Sequence, residues 1–185
     1  MIKDLLADTE DRMKKTLESL DEDFKSVRTG RASPALVEGI LVDYYGSKTP
    51  IKQLATISTP EARLIAIHPW DASIIGQVEK AILQSNLGIT PNNDGKVIRI
   101  TIPHLTDERR QELDKIVKRI AEAGRVSLRT ERRDANELLK QLEKSKEIAE
   151  DDRFKSQDTV QKLIDKYTAQ IEEILEAKEK EIQEA

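Results

Sequence analysis

Helix-breaking residues are confined to the middle of this chain. All six prolines and six of the seven glycines lie between residues 30 and 103. The stretches 1–29 and 105–185 contain no proline and a single glycine, Gly124. Because proline and glycine are the residues that a helix interior tolerates least, the two ends can form long helices and the middle cannot. This distribution predicts a helical domain, residues 1–29 and 105–185, interrupted by a compact insert at 30–104.

Charged residues follow the same boundaries. Residues 1–29 carry 14 of them, residues 30–104 carry 13, and residues 105–185 carry 39. The chain is 36 % charged and 3 % aromatic, which argues against an all-β sandwich and suits helices with solvated outer faces. Its hydrophobic content of 37 % is still sufficient for a folded core.

Apolar residues in both ends recur with the period of an amphipathic helix. In residues 1–29 the apolar stripe is interrupted only by Glu10, and it comprises Leu6, Met13, Leu17, Leu20, Phe24 and Val27. Residues 105–146 and 154–182 show the same spacing, and acidic residues precede each run, as expected at a helix start. Helices with one apolar stripe are not stable alone, so we expect an elongated three-helix bundle.

The insert has the pattern of a small β/α/β domain, which makes the predicted fold class α+β. Strands are predicted at 40–45, 51–58, 63–68 and 97–103. A helix is predicted to begin at Asp71 and to end near Gly88, and residues 91–95 are predicted to form a turn. Trp70, the only tryptophan, is expected in the core.

The chain offers few groups for chemistry. It has no cysteine and only two histidines, His68 and His104, so disulfides, thiolate ligands and histidine-built metal sites are excluded. It also contains no phosphate-binding glycine loop, no nucleophile elbow and no apolar run of membrane-spanning length. We therefore expect no catalytic residues, no cofactor, no metal and no membrane contact, and a cytoplasmic location.

Positive charge is concentrated in one helical segment. Residues 109–133 carry nine basic and four acidic side chains, in a chain whose net charge is −4. Arg125, Arg129 and Arg132 are spaced to share one helix face. Arginine forks match phosphate oxygens and suggest contact with RNA or an acidic partner. Ion pairing or hydrogen bonding within or between helices explains the same residues, for example Arg129 with Asn136 or Arg133 with Glu137, and charge alone leaves both interpretations open.

Several short motifs together resemble the bacterial ribosome recycling factors. They are Val27–Pro34 (VRTGRASP), Val42–Gly46 (VDYYG), Gln53–Ala55 (QLA), Glu79–Ile82 (EKAI), Asn86–Ile89 (NLGI), Leu105–Arg110 (LTDERR), Arg125–Asn136 (RVSLRTERRDAN) and Glu150–Asp152 (EDD). The motifs occur in order over essentially the whole chain, and their combination is specific although each is short. Glu131 departs from the pattern and is expected to dilute the charge of the arginine run slightly.

The resemblance implies a function that periodicity could not indicate. Members of this family are L-shaped and are not enzymes. With elongation factor G and GTP they split the post-termination ribosome, which releases mRNA and deacylated tRNA. Their bundle lies on the large ribosomal subunit, where third-helix arginines contact its rRNA. Those arginines correspond here to Arg129, Arg132 and Arg133, and Arg125 shares their face. We expect this chain to act as a monomer.

Two connections join the insert to the bundle, and both carry turn residues instead of helix formers. Glycine adopts backbone angles closed to other residues, and proline restricts the residue before it to extended conformations. We therefore expect a hinge formed by Thr29, Gly30, Arg31, Pro103, His104 and Leu105.

Two other classes of protein fit part of the pattern. A helical co-chaperone or nucleotide-exchange protein is also long-helical, charged and free of cysteine, but it is usually dimeric and needs no arginine face. An enzyme would need converging polar groups in the insert, where the predicted strand faces are nearly all apolar.

Overall fold

The computed structural model describes all 185 residues, and the chain forms two compact units. One unit comprises Met1–Arg28 and Asp107–Glu184, and the other comprises Thr29–Thr106. The elements in chain order are α1 (Ile2–Ser26), β1 (Leu41–Tyr44), β2 (Ser47–Pro50), β3 (Ala55–Glu61), β4 (Leu64–Pro69), α2 (Ile75–Gln84), β5 (Asn92–Asn93), β6 (Ile98–Thr101), α3 (Asp107–Lys144) and α4 (Glu150–Glu184). None of these helices combines the length and apolar composition that a bilayer span requires.

The first unit is a bundle of α1, α3 and α4, in which each helix contacts the other two. Its core comes from the apolar stripes, because only one face of each helix lacks charge. The most deeply buried side chains include Met13, Leu20 and Phe24 of α1, Leu113, Val117, Leu128 and Leu139 of α3, and Val160 and Ile171 of α4. Gly124 of α3 faces both other helices, since a methyl group there would overlap Leu20 of α1 and lie 3.3 Å from Ile171 Cδ1 of α4.

The second unit contains an antiparallel sheet with the strand order β3-β4-β6-β5. Isoleucines at facing positions form one row of its core, since Ile67 pairs with Ile57 of β3 and with Ile98 of β6. β1 and β2 form a separate hairpin, and α2 contacts β1. The buried residues of α2, Val78 and Ile82, belong to the same apolar cluster as the strands.

The structure confirms the α+β class, with long helices and a small antiparallel sheet, and it corrects several local predictions. Residues 51–53 form a 3₁₀ turn, so the strand predicted at 51–58 begins only at Ala55. β2 and β5 were not predicted, because short polar strands lack a hydrophobic pattern. β5 replaces part of the turn predicted at 91–95.

The helix that was predicted to end near Gly88 ends at Gln84. Ser85 takes an extended conformation there, and its hydroxyl donates to the Ile82 carbonyl oxygen at 2.6 Å, which stops the helix.

The expectation that Trp70 lies in the core is wrong, because 67 % of the residue is exposed. Its backbone N–H donates to Leu54 at 3.1 Å, so the alternation of β4 continues to this position. Ile65 and Ile67 occupy the core side of that alternation, and both are fully buried. Trp70 therefore falls on the outer face, where its indole N–H donates to Thr56 Oγ1 at 2.9 Å.

Candidate nucleic-acid interface

The arginines predicted to bind RNA project from the middle of α3. This helix is 38 residues long, because acidic residues lie in its first turn and no proline interrupts it. Arg125, Arg129 and Arg132 line a groove of about 450 Å³ between α3 and α4. The structure thus brings three of the four predicted residues together, and the fourth, Arg133, follows Arg132 outside that groove. We call these four residues the arginine face.

Two of these arginines are held by carboxylates. Glu122 accepts from Arg125 Nη1 at 3.0 Å through one oxygen and from Arg129 Nη2 at 2.7 Å through the other. Arg125 Nε also donates to Glu172 Oε1 of α4 at 2.7 Å. Hydrogen bonds from Arg129 and Arg125 lower the pKa of Glu122, and the bond to Glu172 raises the pKa of Arg125. Arg125 therefore joins α3 to α4 and is the least exposed of the ion-paired arginines in this group.

Arg132 and Arg133 are held more loosely. Arg132 Nη1 donates to the uncharged Gln161 side chain at 3.4 Å, which is long for a hydrogen bond. Arg133 has 76 % of its side chain exposed, and its Nε lies 3.7 Å from Asp134 Oδ1. Both guanidinium groups can therefore reach an external acceptor without leaving a strong carboxylate partner.

Ion pairs involve three of the four arginines on this surface. The pairs differ from those proposed above, since Arg129 bonds Glu122 instead of Asn136, and Arg133 lies beside Asp134 instead of Glu137. Exposed pairs of this kind contribute little to stability, because solvent screens them. Phosphate oxygens can therefore replace such carboxylates at little cost.

Glu131 does not dilute the arginine face, contrary to the expectation above. Its Oε1 accepts from Thr16 of α1 at 2.6 Å, so the side chain points toward the α1 side of α3. Burial raises the pKa of Glu131, against the weaker effect of the bond from Thr16. The sequence could have shown that Glu131 lies on a different face from Arg132, because adjacent residues lie about 100° apart around a helix.

Two residues of this surface were not identified from sequence. Glu122 lies three residues before Arg125, a spacing that indicates an ion pair on a helix and could have been read directly. Glu172 lies 47 residues from Arg125 along the chain, and no local pattern connects them.

No cluster of His, Asp or Glu side chains here or elsewhere is arranged to hold a metal ion.

The predicted hinge residues lie in two non-helical segments between α1 and β1 and between β6 and α3. Gly30 has a φ of +75°, and a methyl group on its Cα would lie 2.9 Å from Leu105 Cδ2. The two segments therefore meet at Gly30 and Leu105. Thr29 is buried, whereas Arg31, Pro103 and His104 are exposed.

Comparison with known proteins gives consistent matches. The family model described as ribosome recycling factor matches residues 20–182. The ribosome-recycling factor of Syntrophomonas wolfei is 58 % identical over 184 residues and covers 100 % of both chains. That of Carboxydothermus hydrogenoformans is 54 % identical over 182 residues, with 98 % of each chain covered.

Solved structures agree with these sequence matches. A solution structure of the ribosome recycling factor matches with a TM-score of 0.70 at 45 % identity, covering 100 % of this chain and 98 % of that one. The second is a structure of the T. thermophilus ribosome recycling factor and the E. coli elongation factor G bound to the E. coli post-termination complex. It matches with a TM-score of 0.62 at 40 % identity, covering 98 % of each chain.

Proposed function

Because the chain belongs to the ribosome recycling factor family, we propose that it recycles ribosomes after translation termination. Together with elongation factor G and GTP, it splits the post-termination ribosome so that mRNA and deacylated tRNA are released. The observation that carries this proposal is identity of 58 % over the full length of a ribosome-recycling factor. A relative of the same fold has been placed with elongation factor G on the post-termination complex, which supports the choice of partners.

The chain is a translation factor and not an enzyme in this proposal. GTP hydrolysis belongs to elongation factor G, and the recycling factor supplies binding surfaces and needs no cofactor. The candidate interface supports this division, because it consists of guanidinium groups and their counter-ions and contains no nucleophile with an adjacent base. The factor acts as a monomer in the cytoplasm, where ribosomes complete translation.

The arginine face binds rRNA of the large ribosomal subunit. The phosphate oxygens of that rRNA accept hydrogen bonds from Arg125, Arg129, Arg132 and Arg133. Guanidinium groups suit this task because each can donate two parallel hydrogen bonds to one phosphate group. The exposure of Arg129 and Arg133 supports direct contact by these two residues.

The insert, residues 30–104, is the part on which elongation factor G acts, and the six hinge residues let it move. Two short non-helical connections bend more easily than a continuous helix, but together they restrict free rotation. The left-handed backbone of Gly30 supports a hinge here, since the chain has already left the helix at Val27 and glycine adopts this conformation without strain.

A polysome-breakdown assay tests the proposed function. Purified protein, elongation factor G and GTP are added to puromycin-treated polysomes, and sucrose gradients measure the conversion to monosomes and subunits. Conversion is expected only when all three components are present. Polysomes that remain intact with the complete mixture would refute the proposal.

Molecular mass and ribosome binding distinguish a recycling factor from the co-chaperone alternative. Size-exclusion chromatography with light scattering should give a monomer, and centrifugation should sediment the protein with ribosomes. A dimer that stays in the supernatant would favour the co-chaperone.

A further inference from the structure

Glu122 lies between two guanidinium groups of the arginine face. Its two oxygens accept separately, one from Arg125 at 3.0 Å and one from Arg129 at 2.7 Å. Fully 53 % of the Glu122 side chain is exposed, so an incoming ligand can reach this position from solvent. A phosphate group presents several charged oxygens and can accept from two arginines in the same manner.

We propose that Glu122 is an internal competitor of RNA, whose carboxylate occupies the position of one phosphate group between Arg125 and Arg129 and limits the affinity of the arginine face. The inference rests on the proposed function, because it presumes that the ligand of this face is rRNA. It gives Glu122 a role of its own, which does not follow from RNA binding by the arginines.

The other polar partners of this surface do not have the same geometry. Glu172 bonds only Arg125, and it does so from α4 through the guanidinium Nε. The partner of Arg132 is the uncharged Gln161, and Asp134 approaches Arg133 only to 3.7 Å. Glu122 alone connects two arginines of the face, so its removal changes the number of cations free to bind phosphate.

The ion pairs of Glu122 are weak enough to exchange. They are exposed, and exposed pairs exchange readily for other acceptors because solvent screens them. Docking on RNA would therefore use Arg132 and Arg133 first, since neither needs to release a bridging carboxylate. Arg129 and Arg125 would follow as phosphate replaces Glu122. The negative charge of Glu122 then lies beside the bound phosphate and weakens binding.

Glu122→Gln tests this role with little disturbance of the helix. Glutamine has nearly the same size and helix propensity as glutamate, and its carbonyl oxygen still accepts one arginine hydrogen bond. Filter binding with the full chain and purified bacterial large ribosomal subunits measures affinity at several salt concentrations. We expect binding to become about 3- to 10-fold tighter near 0.1 M salt. We also expect a steeper loss of affinity with rising salt, because more cations are free to neutralise phosphates.

Glu112→Gln is the matched control. It removes the same charge from the same helix and breaks an ion pair of similar length, from Arg109 at 2.9 Å. Glu112 lies ten residues before Glu122, which is about 15 Å along the helix axis and beyond the Debye length of about 10 Å at 0.1 M salt. The affinity of Glu112→Gln for large subunits should change by less than about twofold. Circular dichroism verifies that both variants keep their helical content.

A third variant separates failure of this inference from failure of the proposed function. If Arg132→Ala binds large subunits as tightly as the original protein, the arginine face is not the RNA-binding surface, and both its proposed contact with rRNA and the role of Glu122 are refuted. If Arg132→Ala weakens binding while Glu122→Gln leaves it unchanged or weaker, only the role of Glu122 is refuted. If both glutamine variants bind more tightly, the effect comes from the net charge of the protein, and the proposed role of Glu122 is also refuted.

Discussion

Tyr167 of α4 donates a 2.8 Å hydrogen bond from its hydroxyl to Glu10 Oε1 of α1. Glu10 is the residue that interrupts the apolar series of α1, and Tyr167 is only 3 % exposed. The carboxylate therefore supplies an acceptor to the hydroxyl of a buried tyrosine. Burial and this bond raise the pKa of Tyr167 to about 12, and the same bond lowers the pKa of Glu10. A polar position within an apolar stripe thus stabilises the contact between two helices.

Tyr167→Phe should lower the free energy of unfolding by about 1 kcal/mol, because it removes one hydrogen bond while keeping the ring. Urea denaturation followed by circular dichroism measures the difference. Glu10→Gln is the control, since its amide oxygen still accepts from Tyr167, and it should cost less than Tyr167→Phe. Equal stability of the original protein and Tyr167→Phe would show that the bond contributes nothing.

The Glu10 carboxylate also makes stability depend on pH. Its pKa in the folded protein lies below its ordinary value of 4.5, so the folded state favours the ionised form. This contribution is present above pH 4.5 and is lost as the pH falls through the lowered pKa. The stability difference between the original protein and Tyr167→Phe should therefore shrink in acid. A difference that grows in acid would contradict this assignment.

Glu131→Gln should make the protein more stable at pH 7. Burial raises the pKa of Glu131 above 4.5, so its contribution to stability is present below that pH and is lost as the pH rises through the raised pKa. Removing the charge should gain about 0.5 kcal/mol at pH 7, a small value because solvent still reaches part of the side chain. Thermal unfolding at pH 4 and pH 7 measures the effect, which should be smaller at pH 4. The exposed Glu137→Gln on the same helix serves as control and should leave stability unchanged.

Gly124→Ala should destabilise the bundle although alanine favours helices. The added methyl group would overlap Leu20 and crowd Ile171, and overpacking of a core costs about 1–3 kcal/mol. Over most of that range the cost exceeds the gain of about 1 kcal/mol in helix propensity. Gly76→Ala in α2 is the matched control, because no atom lies within 4 Å of its added methyl group. Chemical denaturation should show Gly124→Ala less stable and Gly76→Ala more stable than the original protein.

Arg132→Ala should weaken binding to large ribosomal subunits by about 1–3 kcal/mol, the range for a lost charge-assisted contact. The substitution should have little effect on folding, because the hydrogen bond from the Arg132 side chain to Gln161 is long. Lys25→Ala removes the same charge from an exposed position of α1 and should leave binding nearly unchanged. Sedimentation with ribosomes at several salt concentrations measures both variants. Equal affinities for Arg132→Ala and Lys25→Ala would exclude a specific role of Arg132.

Locking the hinge should separate ribosome binding from ribosome splitting. The chain has no native cysteine, so Arg31→Cys combined with His104→Cys can form only one disulfide. These residues adjoin Gly30 and Leu105, where the two connecting segments meet. The oxidised protein should bind ribosomes but lose most of its splitting activity, and reduction should restore it. Thiol titration verifies the bond, and splitting at the normal rate by the oxidised protein would show that the hinge does not bend.

The sequence by itself determined the features that depend on neighbours along the chain. The absence of proline and glycine from both ends, together with the period of their apolar residues, predicted three long helices, which the structure confirms. The shared face of Arg125, Arg129 and Arg132 followed from helical spacing, and these residues do line one groove. Helix propensity and side-chain periodicity act over a few residues, so a single sequence is enough to read them.

Only the tertiary structure decided which distant residues meet. The partners in the pairs Glu10–Tyr167 and Thr16–Glu131 are separated by 157 and 115 residues, and nothing local indicates either contact. Trp70 was expected in the core, but the register of β4 between its neighbours places it outside. Such contacts depend on the rotation and register that each element adopts when all the apolar faces are buried together. That packing is settled by the whole chain, and short-range preferences do not determine it.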